Sequence, residues 1–305
     1  MISISKLLCS VDAAGDGLRY GDGRDSSRNQ ITEERTTKPV VVWNVTRRCN
    51  LYCEHCYAGA DLDAAPGELT TAEGKQLLDE LADYGVPVVL FSGGEPLVRD
   101  DLETLVAHAA AAGIRPVLST NGTLVTPERA AALRDAGLKY AGVSVDGMPE
   151  RNDAFRGEDG AFDAAVRGIE CFLESGLKTG LRYTITEKNA ADMESVVALL
   201  SEVGVDRFCF YHLDYGGRGG DIADADLTPD ARREAVERLC ELTQSYHDDG
   251  EEIETLLVGN YCDAAFLVEY TRDRFGAERA AAVRRYLEIN GGDPTGERVA
   301  DVDYQ

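Results

Sequence analysis

The feature that most constrains the fold is a regular alternation of short apolar runs with helix-like segments from residue 38 to residue 248. Short apolar runs bounded by turn residues are typical of buried strands, and a longer apolar period indicates helices. The runs that predict strands are 40–46, 87–92, 115–120, 140–146, 178–186 and 206–213. The segments that predict helices lie near 71–84, 100–112, 127–136, 161–175, 190–203 and 229–248. Strands separated by helices pair in parallel through right-handed crossovers, so this alternation predicts an α/β fold.

Turn and cap residues agree with these helix limits. Thr70 and Glu73 form the capping-box pattern before the first predicted helix, and Gly85 follows its last residue. Two other helix starts carry a Thr–Pro pair, at 126–127 and 228–229, in which Thr caps the helix and Pro takes its first position. The glycines suited to C-terminal caps are Gly113, Gly137, Gly176 and Gly204.

The predicted architecture is a partial (β/α)6 barrel of the TIM type, in which the chemistry lies at the carboxyl ends of the strands. An open doubly wound sheet is the alternative that the pattern leaves open. We expect three segments: a polar lead-in over 1–38, the barrel over 39–249 and a smaller extension over 250–305. The extension has helix patterns near 262–274 and 277–288.

Three of the eight cysteines lie within eight residues of one another in the loop after the first predicted strand: Cys49, Cys53 and Cys56. Such tight clustering favours a metal over a disulfide in a cytosolic protein. Three thiolates hold three irons of a cubane cluster and leave the fourth iron open to another ligand. A zinc site is the alternative, and its fourth ligand would come from His55, Cys209 or Cys262. The cysteines that we assign to packing are Cys9, Cys171, Cys209 and Cys240.

The excess of acidic residues in the chain argues against some classes of function. Asp and Glu number 55 against 31 Lys and Arg, which gives a net charge of −24. A nucleic-acid-binding protein usually carries a basic face, and the sequence has no such pattern. Dispersed carboxylates keep a protein hydrated in high salt, so we expect an acidic, salt-adapted protein, with an ordinary acidic enzyme as the alternative left open. The apolar runs are short and the start lacks a secretory signal, so we expect a cytoplasmic protein without membrane or nucleic-acid partners.

The cysteine spacing C-x3-C-x2-C resembles the signature of the radical S-adenosylmethionine (SAM) enzymes. A second segment, FSGGEPL at 91–97, follows the second predicted strand and resembles the GGEP motif of the same family. The resemblance implies a partial barrel in which Cys49, Cys53 and Cys56 hold a 4Fe–4S cluster and SAM binds the fourth iron. It also implies that an electron, from a donor such as ferredoxin or flavodoxin, cleaves SAM reductively to a 5′-deoxyadenosyl radical. The cofactors then carry the chemistry that the protein orients.

The same resemblance implies which residues surround SAM. They are Gly93, Gly94, Glu95, Ser144, Asp146, Arg182 and His55. Glycines allow the backbone to approach closely, and the carboxylate of Glu95 suits the ammonium group of SAM. The guanidinium of Arg182 suits the carboxylate of SAM, while His55 takes the aromatic position near adenine. For Ser144 and Asp146, ordinary turn chemistry is an equal alternative to a ribose or sulfonium contact.

A narrower resemblance covers nearly the whole chain. Segments such as VVWNVTRRCNLYCEHCYAG, FRGEDGAFDAA and FYHLDYGGRG resemble a tetrapyrrole-processing branch of the radical SAM enzymes. Members of this branch act on siroheme derivatives, and the opening segment favours those that work in haem biosynthesis. The resemblance then implies removal of acetate side chains from 12,18-didecarboxysiroheme. The alternatives left open are a radical SAM peptide maturase and a non-catalytic iron–sulfur or zinc-binding relative.

A flat polycarboxylate substrate and an acidic protein repel each other, so binding needs local cations. We expect these cations among Arg47, Arg156 and Arg218, although a surface or structural role suits each of them as well. Tyr211 suits stacking on the macrocycle, with core packing as the alternative. His212 suits a proton donor or an axial iron ligand, with an ordinary strand-end histidine as the alternative.

The end of the chain departs from the pattern of this branch. Its members continue past NGGDPTGERVADVD into a cysteine-bearing segment for an auxiliary cluster, whereas no cysteine follows Cys262 in these 305 residues. We therefore expect a shortened form or one that works without that cluster. Cys262 itself suits either a second cluster or a buried thiol.

Overall fold

The structure is a computed structural model that describes residues 1–11, 38–63, 66–259 and 262–289. Most of the lead-in predicted over 1–38 therefore lies outside the described residues. No helix in the described ranges is long and apolar enough to cross a membrane. The chain divides into a larger unit, Thr32–Asp206 with Leu213–Asp226, and a smaller unit, Met1–Ile31 with Arg207–His212 and Leu227–Gln305.

The larger unit is a parallel sheet with helices between its strands. Its strands are β2 (Val41–Thr46), β3 (Val88–Gly93), β4 (Arg115–Thr120), β5 (Ala141–Ser144) and β6 (Thr179–Ile185). They follow one another in the sheet in chain order, and each neighbouring pair is parallel. Its helices are α1 (Thr71–Tyr84), α2 (Leu102–Ala111), α3 (Pro127–Asp135), α4 (Pro149–Arg156), α5 (Ala161–Glu174) and α6 (Met193–Val203). Parallel pairing brings the carboxyl ends of these strands to one edge of the sheet.

The core of the larger unit is built from apolar side chains of both strands and helices. Phe91, Leu118, Val143 and Leu181, from four neighbouring strands, are each 0% exposed. Such continuous burial is expected of parallel strands, because helices pack on the sheet faces. Burying one side chain of this size stabilises the fold by roughly 1.5–3 kcal/mol. The rigid sheet that results supports the loops at its carboxyl edge.

Helix caps follow the sequence closely. Thr70 accepts a hydrogen bond from the backbone N–H of Glu73, and the Glu73 side chain accepts one from the Thr70 backbone, which completes the predicted capping box. Gly85 ends α1 in the left-handed region, at a φ of 90°. Thr126 caps α3 by accepting a hydrogen bond from the backbone N–H of Arg129.

The smaller unit has its own strands and helices. β7 (Arg207–His212) pairs in parallel with β8 (Glu254–Val258), and β8 pairs antiparallel with β1 (Ile2–Ser3). The helices are α7 (Pro229–Asp248), α8 (Cys262–Phe275) and α9 (Ala277–Ile289). The sequence analysis did not indicate strand β8, in which ETLLV at 254–258 has four of its five residues buried.

The six predicted strands all form, with ends within two residues of the predicted limits. The prediction missed β1 and β8, and it also missed α4, whose sequence PERNDAFR is polar and offers little apolar period. The signal that was present for α4 is its punctuation: Pro149 occupies the first turn, and Gly157 ends the helix at a φ of 73°. This helix carries Phe155, which stacks on His55, and Arg156, which donates to Cys53 Sγ.

Candidate active site

The three clustered cysteines lie on the loop that follows β2. Backbone hydrogen bonds between Cys49 N–H and Asp61 C=O, at 2.8 Å, and between Asp61 N–H and Arg47 C=O, at 3.2 Å, join the two ends of this loop. Cys49 and Cys53 are each 8% exposed, and Cys56 packs against them. The apolar residues that complete this cluster are Leu51, Ala60 and Ala161. The loop therefore gathers three thiols in one buried cluster at the carboxyl edge of the sheet.

The three sulfur atoms have different hydrogen-bond donors. Cys49 Sγ accepts the backbone N–H of Leu51, and Cys56 Sγ accepts the backbone N–H of Ala60, both at 3.4 Å. Cys53 Sγ instead accepts from the Arg156 guanidinium, with Nη1 at 3.8 Å. Donors at the sulfur atoms are a means by which proteins tune iron–sulfur clusters.

Burial favours the protonated thiols of Cys49 and Cys53 in the protein without a cluster. It raises the pKa of Cys49 to about 11, although the Leu51 N–H acts in the opposite direction. Burial also raises the pKa of Cys53, while the charge of Arg156 lowers it. Metal binding therefore has to release these protons, as is usual for thiolate sites.

The donor set fits a 4Fe–4S cluster, because two buried thiols and one partly buried thiol lie on one loop and each has a hydrogen-bond donor. Within the described ranges, no group of three or more His, Cys, Asp or Glu side chains converges to hold a single metal ion. In a cubane each thiolate binds a different iron, so the sulfur atoms need not converge on one point.

The Gly93–Gly94 turn lies directly against the start of the cysteine loop. The backbone N–H of Gly94 donates to Thr46 C=O, and that of Glu95 donates to Arg48 C=O, both at 2.8 Å. A Cβ at Gly93, which has a φ of 137°, would lie 2.3 Å from the Thr46 carbonyl oxygen, and one at Gly94 would lie 2.2 Å from that of Arg48. Both positions therefore require glycine for two backbone segments to approach this closely.

Glu95 organises the turn from inside the protein. Its side chain is 0% exposed and accepts hydrogen bonds from Leu97 N–H at 2.9 Å, Thr120 Oγ1–H at 2.8 Å and Asn121 N–H at 2.7 Å. Burial raises the pKa of Glu95, although these three hydrogen bonds act in the opposite direction. The carboxylate therefore fixes the end of β3 to the end of β4.

Arg182 and Ser144 are neighbours across β5 and β6, where the strand register places them opposite each other. Arg182 Nη1 donates to Ser119 Oγ of β4 at 2.7 Å. The Arg182 side chain crosses over Gly142, where a Cβ would lie 2.2 Å from Arg182 Nε. Two predicted SAM contacts are therefore adjacent, and the structure adds Ser119 and Gly142, which the sequence motifs did not indicate.

Asp146 and His55 meet beneath the cysteine loop. Asp146 is 0% exposed, and its Oδ1 accepts a hydrogen bond from the Thr184 N–H at 2.7 Å. Its Oδ2 lies 3.2 Å from His55 Nε2 and also forms an ion pair with Arg156. The His55 ring stacks on Phe155, with centroids 4.3 Å apart and planes 2° apart. Burial lowers the pKa of His55 to about 4, although Asp146 acts in the opposite direction, so the imidazole is neutral at neutral pH.

Arg218 holds the cysteine loop in place through hydrogen bonds from its side chain and its backbone. Its Nε donates to Cys53 C=O at 2.8 Å and its Nη1 to Ala60 C=O at 2.7 Å, and the guanidinium lies 3.8 Å from the centre of the Tyr52 ring. The backbone N–H of Arg218 donates to Cys56 C=O at 3.0 Å. The guanidinium expected at a substrate is thus engaged with the loop in this structure.

The remaining predicted residues differ in their positions. Arg47 is exposed, and its backbone N–H donates to Glu68 at 2.7 Å. Tyr211 and His212 end β7 in the smaller unit, where His212 Nε2 lies 2.8 Å from Asp263 Oδ2 and both side chains are 5% exposed. The cysteines and the residues expected around SAM all lie within the larger unit.

Residues 43–200 match the Radical SAM superfamily, a span that holds the cysteine loop, the glycine turn and the Asp146 and Arg182 positions. The chain belongs to the radical SAM superfamily. Enzymes of this superfamily use a 4Fe–4S cluster and SAM. The resemblance inferred from the cysteine spacing and GGEP is therefore confirmed.

Two curated relatives of this radical SAM protein carry tetrapyrrole names. Fe-coproporphyrin III synthase of Methanosarcina barkeri is 46% identical over 306 residues, which cover 100% of this chain and 76% of the relative. Pre-heme d1 synthase of Dinoroseobacter shibae is 40% identical over 272 residues, which cover 88% of this chain and 67% of the relative. The chain thus spans two thirds to three quarters of these relatives, whose names support the narrower resemblance to the tetrapyrrole-processing branch.

Solved structures resemble the chain at the level of the fold. Streptococcus suis SuiB bound to SAM has a TM-score of 0.61 at 18% identity, covering 78% of this chain and 55% of that one. SuiB bound to the precursor peptide SuiA has a TM-score of 0.60 at 19% identity, covering 78% and 54%. The likeness confirms the predicted α/β partial barrel of radical SAM proteins and carries no information about the substrate.

Proposed function

We propose that this chain is a radical SAM enzyme of tetrapyrrole biosynthesis that removes acetate side chains from 12,18-didecarboxysiroheme. The observation that carries the substrate class is the 46% identity, over the whole chain, to a relative named Fe-coproporphyrin III synthase. The buried three-thiol loop beside the Gly93–Gly94 turn supports the reaction class.

In this proposal Cys49, Cys53 and Cys56 hold the cluster, which when bound supplies the electron for reductive cleavage of SAM. The Gly93–Gly94 backbone packs against the cysteine loop and leaves no room for side chains, which suits close approach of the SAM amino group. Arg182 binds the SAM carboxylate, since a guanidinium holds a carboxylate in a fixed orientation.

Ser144 lies opposite Arg182 on β5, and Ser119 of β4 accepts a hydrogen bond from Arg182 Nη1 and orients its guanidinium. Glu95 and Asp146 are both fully buried and hydrogen-bonded within the protein, so we propose that they position the turn and the loop around SAM. His55, held against Phe155 as a neutral ring, forms the wall near adenine.

The substrate is a polycarboxylate, and the exposed arginine of the predicted set is Arg47, beside the cysteine loop. Arg47 is therefore our first candidate for a propionate or acetate contact, ahead of Arg156 and Arg218, whose guanidinium groups are engaged with the loop. Tyr211 remains a proposed stacking residue. A low-potential donor such as ferredoxin or flavodoxin would supply the electron.

The test is anaerobic turnover of 12,18-didecarboxysiroheme by the reconstituted chain with SAM and dithionite. We expect 5′-deoxyadenosine together with a tetrapyrrole whose mass has fallen by the loss of acetate side chains. Cys53→Ala should abolish both products, whereas Cys171→Ala, at a half-buried thiol of α5, is the matched control and should keep them.

Other outcomes identify the alternatives. SAM cleavage with an unchanged tetrapyrrole and modification of a short peptide would make the protein a peptide maturase. One zinc and no sulfide in the anaerobically purified protein would make it a zinc-binding relative. Cluster and SAM cleavage that survive Cys53→Ala would overturn the assignment of the cluster ligands.

A further inference from the structure

The sulfur atom of Cys53 differs from the other two in the charge of its neighbour. Cys49 and Cys56 accept from neutral groups, namely backbone N–H groups and, for Cys49, also the Asn121 side-chain amide at 3.9 Å. Cys53 accepts from Arg156, which carries a full positive charge at any pH that the protein survives. The cysteine loop therefore has an electrostatic asymmetry that the family motif does not include.

Helix α4 holds Arg156 firmly in this position. Arg156 is its last residue, and the carbonyl of the preceding Phe155 accepts the backbone N–H of Glu54 at 3.0 Å. Gly157, at a φ of 73°, lets the chain turn away, and a Cβ there would lie 2.7 Å from the Tyr52 carbonyl oxygen. The end of α4 is thus joined to the loop through backbone contacts on either side of Arg156.

Asp146 fixes the other end of the guanidinium. Arg156 is 7% exposed and Asp146 is 0% exposed, so their ion pair is shielded from water. The Asp146 backbone N–H donates to Asn152 Oδ1 of α4 at 2.9 Å, and Asn189 Nδ2 donates to the Asp146 carbonyl at 2.8 Å. The carboxylate can therefore not follow the arginine away from the sulfur atom.

The two charges act on Cys53 in opposite directions. Arg156 Nη1 donates to Cys53 Sγ at 3.8 Å, and Arg156 Nη2 forms the ion pair with Asp146 Oδ2, so the positive charge lies nearer the sulfur atom and the negative charge lies behind it. Charges act over short distances with little screening when they are buried. A metal bound to the Cys53 sulfur would therefore lie near a buried positive charge on Arg156, which the negative charge of Asp146 partly offsets.

We propose that the Arg156–Asp146 pair sets the reduction potential of the cluster through Cys53, with Arg156 raising the potential and Asp146 limiting that rise. One-electron reduction adds a negative charge to the cluster, and a nearby positive charge that also hydrogen-bonds a ligand sulfur stabilises the reduced form. This inference rests on the proposed assignment of Cys53 as a cluster ligand. Arg156 and Asp146 then act on the cluster through Cys53 as positioning residues, in addition to holding the loop in place.

The test measures the midpoint potential of the reconstituted chain by an EPR-monitored redox titration without SAM, alongside iron and sulfide content. Arg156→Gln removes the positive charge and should move the potential to more negative values. Asp146→Asn keeps an acceptor for the Thr184 N–H but removes the negative charge, so the potential should become more positive. Arg156→Lys keeps the charge and should move the potential less than Arg156→Gln does.

Two further variants distinguish an effect of charge on the midpoint potential from a general loss of structure. The double variant Arg156→Gln with Asp146→Asn leaves no uncompensated charge, and its potential should lie between those of the two single variants. Arg99→Gln is the matched control, because Arg99 pairs with Asp101 in the same unit and donates to the carbonyls of Val45 and Leu69. Its potential should equal that of the wild type.

Shifts of opposite sign in Arg156→Gln and Asp146→Asn would establish the proposal, since structural loosening has no reason to raise the potential in one and lower it in the other. Shifts of the same sign, or none at normal iron and sulfide content, would overturn it. If Arg156→Gln binds no cluster, the sign in Asp146→Asn decides alone. A wild-type chain that binds no cluster would instead overturn the proposed function.

Discussion

Two fully buried carboxylates, Glu95 after β3 and Asp146 after β5, support the same site in different ways. Glu95 is satisfied by three neutral donors from its own turn and from β4. Asp146 accepts one backbone N–H from Thr184 and otherwise faces Arg156 and the neutral ring of His55. Both are 0% exposed, so their surroundings and not their burial distinguish them.

The difference lies in what each carboxylate joins. Glu95 connects adjacent strand ends, so its loss disturbs one turn and leaves no charge behind. Asp146 connects β5, β6, α4 and the cysteine loop, and its loss leaves the Arg156 charge buried without its partner. Breaking a buried pair costs much more than losing neutral hydrogen bonds, because the remaining charge stays desolvated.

The largest expected effect is therefore that of Asp146→Ala on the cluster-free protein. We expect a loss of about 3–5 kcal/mol in the free energy of unfolding, because Arg156 remains buried and unpaired. Urea denaturation monitored by circular dichroism measures it. The double variant Asp146→Ala with Arg156→Met should be less destabilised than Asp146→Ala, whereas equal or additive losses would show that the charge pair is not the cause.

Glu95→Gln should cost less, about 1–3 kcal/mol. The glutamine amide presents N–H groups where Glu95 has an acceptor, so one of the donors from Leu97, Thr120 or Asn121 loses its partner. The same denaturation measures it, and Asn121 N–H exchange reports the site directly. A loss equal to that of Asp146→Ala would mean that neutral donors and an ion pair are equivalent here.

The pH dependence of stability separates the two carboxylates further. Burial raises the pKa of Glu95 above its ordinary value of 4.5, so the folded protein binds this proton more tightly than the unfolded chain does. Its contribution to stability is present below about pH 4.5 and is lost as pH rises through the folded pKa. The wild type should thus lose stability relative to Glu95→Gln as the pH rises above about 4.5, and a difference that stays constant with pH would contradict a raised pKa of Glu95.

Gly93→Ala tests the backbone contact that Glu95 supports. A Cβ at Gly93 would lie 2.3 Å from the Thr46 carbonyl oxygen, whereas one at Gly113, with a φ of 83°, would have nothing within 4 Å. Gly113→Ala therefore measures the strain of a positive φ alone, about 1–2 kcal/mol. We expect Gly93→Ala to lose more stability than this control and also to bind less iron, and equal losses would mean that the turn yields without affecting the loop.

Most of the strands of the fold could be predicted from the sequence, whereas two strands and one helix could not. Strands β2 to β7 carry strong apolar runs between turn residues, and the structure has them within two residues of the predicted limits. β8 follows the acidic run before Glu254 and is short, so its apolar signal was too weak to separate from a loop. α4 was missed because PERNDAFR places Asn152 and Phe155 inward without a regular apolar stripe.

For the site, the assignment of residues from the motifs stays a prediction, and the motifs did not indicate how those residues pair with one another. The cysteine spacing and GGEP indicated Cys53 and Glu95 through local chain geometry. The contact of Arg156 with Cys53 joins residues 103 apart in sequence, and that with Asp146 depends on the position of a helix the sequence did not reveal. Side-chain partners of this kind follow from tertiary packing, which local periodicity does not encode.

The exposed ion pair between Lys188 and Glu54 is expected to contribute the least to the free energy of unfolding. It also joins the region after β6 to the cysteine loop, but its side chains are 44% and 41% exposed. Water screens such a pair and its long side chains lose entropy on pairing, so Lys188→Ala should change the free energy of unfolding by less than about 1 kcal/mol. Denaturation at low and high salt measures this. A loss that approached that of Asp146→Ala would mean that attachment of the loop, and not burial of charge, governs stability at this edge of the sheet.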